Sequence, residues 1–170
     1  MCKVADIAMM MINKSIHMAK QAGDDRYLMD FEKLHKLLYL GQCCMMSQYG
    51  RTLFEEDITA HRCGPYVDDM DFIPAKCGFG PISIPFPASD FVVPAASCLA
   101  VIDWVLETFG VWSTTDIIRY TISTPPYRAV ERQISETDKP IIPVEIMGFA
   151  FCGNVAVKQV RPESLTTAWA

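Results

Sequence analysis

Asp30-Phe31-Glu32-Lys33-Leu34-His35-Lys36-Leu37-Leu38-Tyr39-Leu40-Gly41-Gln42-Cys43-Cys44-Met45 decides the fold class of this chain. Leu34, Leu37, Leu38, Gly41 and Met45 recur every three or four residues, the interval that puts side chains on one face of an α-helix. Asp30 offers the acceptor side chain favoured just before a helix, and Gly50 stops the pattern. Gly41, inside the apolar face, marks a point where another helix packs close, backbone to backbone.

Toward the N-terminus, Val4, Ile7, Ala8, Met11, Ile12, Ser15 and Ala19 make a second helix of Val4 to Lys20, closed by Gly23 and the polar Asp24-Asp25-Arg26. Of the consecutive Met9, Met10 and Met11, at least one of the first two must leave the core face, where it could serve a partner or a homodimer. Asp6 and Asn13 interrupt the run and no small-residue cleavage site follows, which argues against a signal peptide.

Toward the C-terminus, Leu53-Phe54 and then Ile58, Ala60 and Arg62 alternate about the acidic Glu55-Glu56-Asp57, which suggests a short strand pair or extended arm. Gly64-Pro65 reads as a tight turn whose proline opens a helix carrying Tyr66, Val67 and Met70. Six glycines and prolines exclude helix from Cys77 to Pro94, and Ile82-Ser83-Ile84 is at most an edge strand. Helical spacing resumes over Ala95 to Phe109, with Gly110 at the position after a helix end that favours glycine. Ser113 and Asp116 form a capping box, Pro125-Pro126 restarts a helix, and a last helix spans Pro143 to Phe151. The expected fold is mainly α, a compact domain of about six helices with a strand pair or extended arm after the second. One domain covers residues 1–152. The tail, 153–170, has a short strand at most.

The chain has 170 residues, 51% apolar and 21% charged, with a net charge of −5. That is a globular composition. The acidic balance disfavours nucleic acid, whose phosphates call for clustered Lys and Arg, and fits a basic partner. No apolar run approaches the roughly 20 residues that cross a bilayer. The seven cysteines show no CxxC spacing, so reduced thiols and a cytosolic location are expected.

Three blocks now carry a resemblance: Leu34-His35-Lys36-Leu37-Leu38-Tyr39-Leu40-Gly41-Gln42, Tyr49-Gly50-Arg51-Thr52-Leu53-Phe54-Glu55-Glu56-Asp57-Ile58, and Thr59-Ala60-His61-Arg62-Cys63-Gly64-Pro65-Tyr66-Val67. In order and spacing they are similar to the SocA-like Panacea domain, a family that includes phage-associated GepA-type proteins. Ile102 to Ile118, Thr121 to Arg128 and Ile141 to Phe149 agree more loosely, so the resemblance spans roughly residues 4–150. Ile122 stands where the family usually has His, Tyr127 and His61 where it has Trp, and Cys63 where it has Tyr. The resemblance implies an antitoxin that neutralises a cognate toxin by direct contact, with a ClpXP-type protease as a further partner when it acts as an adaptor. It implies no catalytic residue and no cofactor, and the departure at Ile122 counts further against an enzyme.

Other chemistries are weaker. His61-x-Cys63 with Cys77 and His35 lacks the short paired spacing of zinc ligands. No context singles out a Cys–His nucleophile pair. The adjacent carboxylates Asp68, Asp69 and Asp71 read as a solvated turn that, with Glu55 to Asp57, makes an acidic face. The expected interface comprises Glu55, Glu56, Asp57, Arg62, Gly64, Pro65, Tyr66, Phe79 and Phe86. Two alternatives stay open: a phage or mobile-element accessory factor binding another host protein, and a metal-dependent hydrolase using His61 and Cys63.

Overall fold

The computed structural model describes residues 2–151; the tail expected at 153–170 lies outside the described residues. Helix α1, Val4–Ala22, buries the expected face together with Met9 and Ile16, while Met10 is half-buried. Gly23 ends it at φ 62, the left-handed region that glycine enters without cost. Helix α2, Phe31–Tyr49, is the hub: every residue from Phe31 to Met45 except Glu32 is buried. Its Asp30 cap accepts the Lys33 amide at 2.7 Å.

Gly41 does sit at a close approach, but the neighbour is a side chain rather than a helix backbone. A Cβ there would meet Leu53 Cδ2 at 3.0 Å. The segment that brings Leu53 in is clamped by Gln42, whose Oε1 accepts the Leu53 and Phe54 amides at 2.7 and 3.3 Å, and whose Nε2 donates to the Phe54 carbonyl at 3.2 Å.

Strands β1, Ile58–His61, and β2, Gly64–Val67, form an antiparallel hairpin in which Ile58 faces Val67 and His61 faces Gly64. This corrects the reading of Gly64-Pro65 as a turn that opens a helix. The turn is Arg62-Cys63, and Gly64-Pro65 begins the second strand. The other edge of β1 is also taken: the Ala60 amide donates to the Pro140 carbonyl and the Ile142 amide to the Ile58 carbonyl, both at 2.8 Å. Residues 140–142 thus run beside β1 through the Thr59–Ile141 bridge. Because Ala60 bonds away from β2, its opposite number Pro65 turns its nitrogen to the sheet edge, where a missing N–H costs nothing.

Asp69, at φ 60, leads out of the hairpin into the short helix α3, Phe72–Cys77. Residues 78–95 hold no helix or strand, and the edge strand at Ile82–Ile84 does not form. Side chains of α1 hold this loop instead. Asn13 brackets Phe86, with its Nδ2 donating to the Phe86 carbonyl and its Oδ1 accepting the Phe86 amide, both at 2.8 Å. Asp6 accepts the Val92 amide at 2.9 Å. The two polar interruptions of the first helix are therefore the loop's anchors.

Helix α4, Ala96–Phe109, packs its apolar face on α2 and α1. Gly110 follows at φ −57 rather than in the left-handed region. Its carbonyl accepts Lys33 Nζ at 2.6 Å, and the same amine reaches the Arg26 carbonyl at 2.9 Å; burial pulls Lys33 down to about 8. Helix α5, Thr114–Ser123, starts at the Ser113–Asp116 box, and α6, Pro125–Val130, runs into a 3-10 turn at Glu131–Gln133. The last helix, α7, is only Val144–Met147, because residues 148–150 wind into tighter turns. The architecture is mainly helical, with one small strand pair after the second helix. No single helix among the described residues is long and apolar enough to cross a membrane.

Candidate partner-binding face

The edge of β2 is where sequence blocks far apart in the chain meet. Val67 points its amide outward from the hairpin, and the buried His35 of α2 accepts it on Nδ1 at 3.1 Å. An acceptor at Nδ1 leaves the proton of the neutral ring on Nε2. That Nε2 is buried without a hydrogen-bond partner among the described residues. Burial, then the neighbouring Lys36 and His61, push His35 down to about 3, so it is neutral at physiological pH.

His35 is the base of an aromatic ridge. Tyr66 stacks on it with ring centres 3.7 Å apart, and His61 leans on Tyr66 at 5.0 Å. Phe31 meets His35 edge-on at 4.4 Å and Tyr66 at 6.2 Å, and Phe79 from the loop meets Phe31 at 6.1 Å. Phe31 and His35 are interior, Tyr66 is half-buried, and Phe79 is 75% exposed. The ridge therefore climbs from the core to solvent, joining α2, the hairpin and the 78–95 loop.

Carboxylates surround it. The Tyr66 hydroxyl is held above its ordinary range by burial and by Asp71, Glu32 and Asp68. Asp68 is raised by burial and Asp69, lowered by His61, and raised again by Asp57 and Asp71. Four of these five, Asp57, Asp68, Asp69 and Asp71, are exposed. Asp57, Asp69 and Asp71 all repel charge on Asp68, so a cationic side chain placed beside Asp68 would relieve that repulsion.

Beneath the hairpin, Lys36 is buried and ion-paired to Glu32 one helical turn earlier. Burial lowers its pKa, and Glu32 holds it back up. Gly64 leaves room for it: at φ 101, a Cβ would sit 3.0 Å from Lys36 Cε and 3.2 Å from Thr121 Oγ1. Ile122 lies 3.6 Å from the same point. Tyr127 ties α6 to the hairpin by donating to the His61 carbonyl at 2.6 Å.

Of the residues expected at the interface, Glu55, Asp57, Arg62 and Phe79 are exposed, and Tyr66 is half-buried. Glu56 is half-buried and accepts the Val4 amide at 3.1 Å, so it caps α1. Gly64, Pro65 and Phe86 are buried, which gives them a shaping role. Among the described residues, no three His, Cys, Asp or Glu side chains gather where a metal ion could be held, so His61, Cys63, Cys77 and His35 are not brought together as a ligand set. Sequence reasoning missed Phe31, Glu32 and His35 as parts of this face. Their one signal was the polar Glu-Lys and His-Lys pairs interrupting an apolar helix.

No protein-family model matches the chain, and no curated protein or solved structure is significantly similar to it.

Proposed function

We propose that this chain is an antitoxin-type binding domain, which neutralises a cognate toxin by direct contact with the Tyr66–Phe79 ridge and its acidic border. The observation that carries the reading is one exposed aromatic, Phe79, linked through Phe31 to a Tyr66 that stacks on His35 and lies in the field of Asp71, Glu32 and Asp68. Exposed apolar groups set in a polar rim mark protein-binding surfaces. An aromatic face among carboxylates favours Arg and Lys, which stack on the ring and pair with the acids. The toxin surface is therefore basic. The resemblance of the Leu34–Val67 blocks to SocA-like Panacea domains supplies the antitoxin class, and with it a ClpXP-type protease as the acceptor of the complex.

Binding is favoured over catalysis because the two buried ionisable groups beneath this face are already committed. His35 is neutral and spends Nδ1 on the Val67 amide, and Lys36 is paired with Glu32. Co-expression with the protein encoded beside it tests the reading. The neighbour alone should arrest growth, and this chain should restore it. A harmless neighbour, or arrest that persists without a complex, overturns the proposal.

A further inference from the structure

The groove between the hairpin turn and α6 reverses the charge of the aromatic face. Arg62 from the turn, Arg128 on α6 and Arg132 in the following 3-10 turn line it with Glu131, over Ile122, Tyr127 and Ile134, in a shallow, open groove of about 440 Å³. The three arginines are exposed. Arg128 lies 3.6 Å from Glu131, an open pair that carries little energy. Arg62 and Arg132 have no ion-pair partner among the described residues. In a chain of 15 basic and 20 acidic residues, three arginines against one glutamate is a local inversion. The frame is firm, since the Tyr127 hydroxyl bonds the His61 carbonyl beside the turn.

We propose that this groove binds an acidic linear segment of a protein partner. Its carboxylates would be taken by Arg62, Arg128 and Arg132, and one apolar side chain would rest on the half-buried Ile122 and Ile134. The guanidinium fork matches a carboxylate in two parallel bonds. A nucleic acid fits less well: its charge continues past the groove onto a molecule of net charge −5, and Tyr127 is buried rather than offered as a stacking platform. This surface shares no residue with the Tyr66–Phe79 ridge, so it stands whether or not that ridge binds a toxin.

The test is an NMR titration of the full chain with a peptide of about ten residues, Glu and Asp around a central Leu. Saturable shifts should concentrate at Arg62 and from Ile122 to Ile134. The paired charge reversal Arg128→Glu with Arg132→Glu should weaken binding by about tenfold or more, and the milder Arg62→Gln by a smaller factor. Both changes lie at exposed positions, and the dispersion of the spectrum reports their folding. Absence of saturation, shifts centred on Tyr66 and Phe79, or variants that bind like the parent would overturn the proposal. So would an oligothymidylate that shifts these residues where the acidic peptide does not.

Discussion

The hairpin and the 78–95 loop lie at the two ends of one aromatic ridge, yet they are held in opposite ways. The hairpin is fixed by backbone bonds on both edges of β1 and by His35 on the outer edge of β2. The loop has no ladder, and its amides go to Asn13, Asp6 and the Met29 carbonyl. Correspondingly, Gly64, Pro65 and Val67 are interior, while Phe79, Ile84, Val92 and Val93 are each more than 60% exposed. The lesson is a division of labour: the hairpin sets the geometry of the face, and the loop supplies the apolar surface that a partner can cover.

The largest effect that separates the two should come from pH. His35 titrates near 6.5 in the unfolded chain and near 3 in the folded one. Between those values only the unfolded chain takes up the proton. Stability from this group is complete above about pH 6.5 and falls by about 1.4 kcal/mol per unit as the pH drops through 3, on the order of 5 kcal/mol in all. Urea unfolding across that range should show the slope in the parent, and a flatter one in His35→Asn.

Next in size, Gly64→Ala puts a Cβ at positive φ and against Lys36, and should cost about 3 kcal/mol. Chemical denaturation measures it, and a cost under about 1 kcal/mol would show that Lys36 moves aside. On the loop side, Asn13→Ala removes both bonds to Phe86 and should cost about 1–2 kcal/mol. Limited proteolysis should then cut within 78–95 while the hairpin stays protected; cleavage elsewhere first would contradict the independence of the two regions. Smallest of all, Phe79→Ser should leave the unfolding midpoint within about 0.5 kcal/mol of the parent, because the ring is mostly in solvent.

The helices were legible because their signals are local. Asp30, Ser113 and Gly23 act on the turns beside them, and each does so here. Gly64-Pro65 was misread because proline suits both the start of a helix and the edge of a sheet. The choice was made by groups distant in sequence: Pro140 and Ile142 on one edge, and His35 on the other. The final helix stops short at its C-terminal end, where the Phe149 and Ala150 amides bond three residues back rather than four. For the candidate face, Phe79 is visible as an aromatic in an irregular segment, and Tyr66 as an aromatic beside the Gly64-Pro65 punctuation. The Phe31 and His35 that connect them were hidden, because helical spacing assigns them to the interior, where they do lie. Phe86 looks equivalent to Phe79 in the sequence, but the Asn13 bracket and Lys76 over its ring hold Phe86 inward while Phe79 stays exposed.

The central claim is that the Tyr66–Phe79 ridge and its acidic border are the surface that holds a basic toxin. Calorimetric titration of the full chain with the protein encoded beside it, comparing the parent with Phe79→Ser combined with Asp68→Lys, tests it most directly. The account requires a tight complex for the parent and a loss of about a hundredfold or more for the variant, with the unfolding midpoint unchanged. A variant that binds like the parent, or a parent that does not bind, would contradict it.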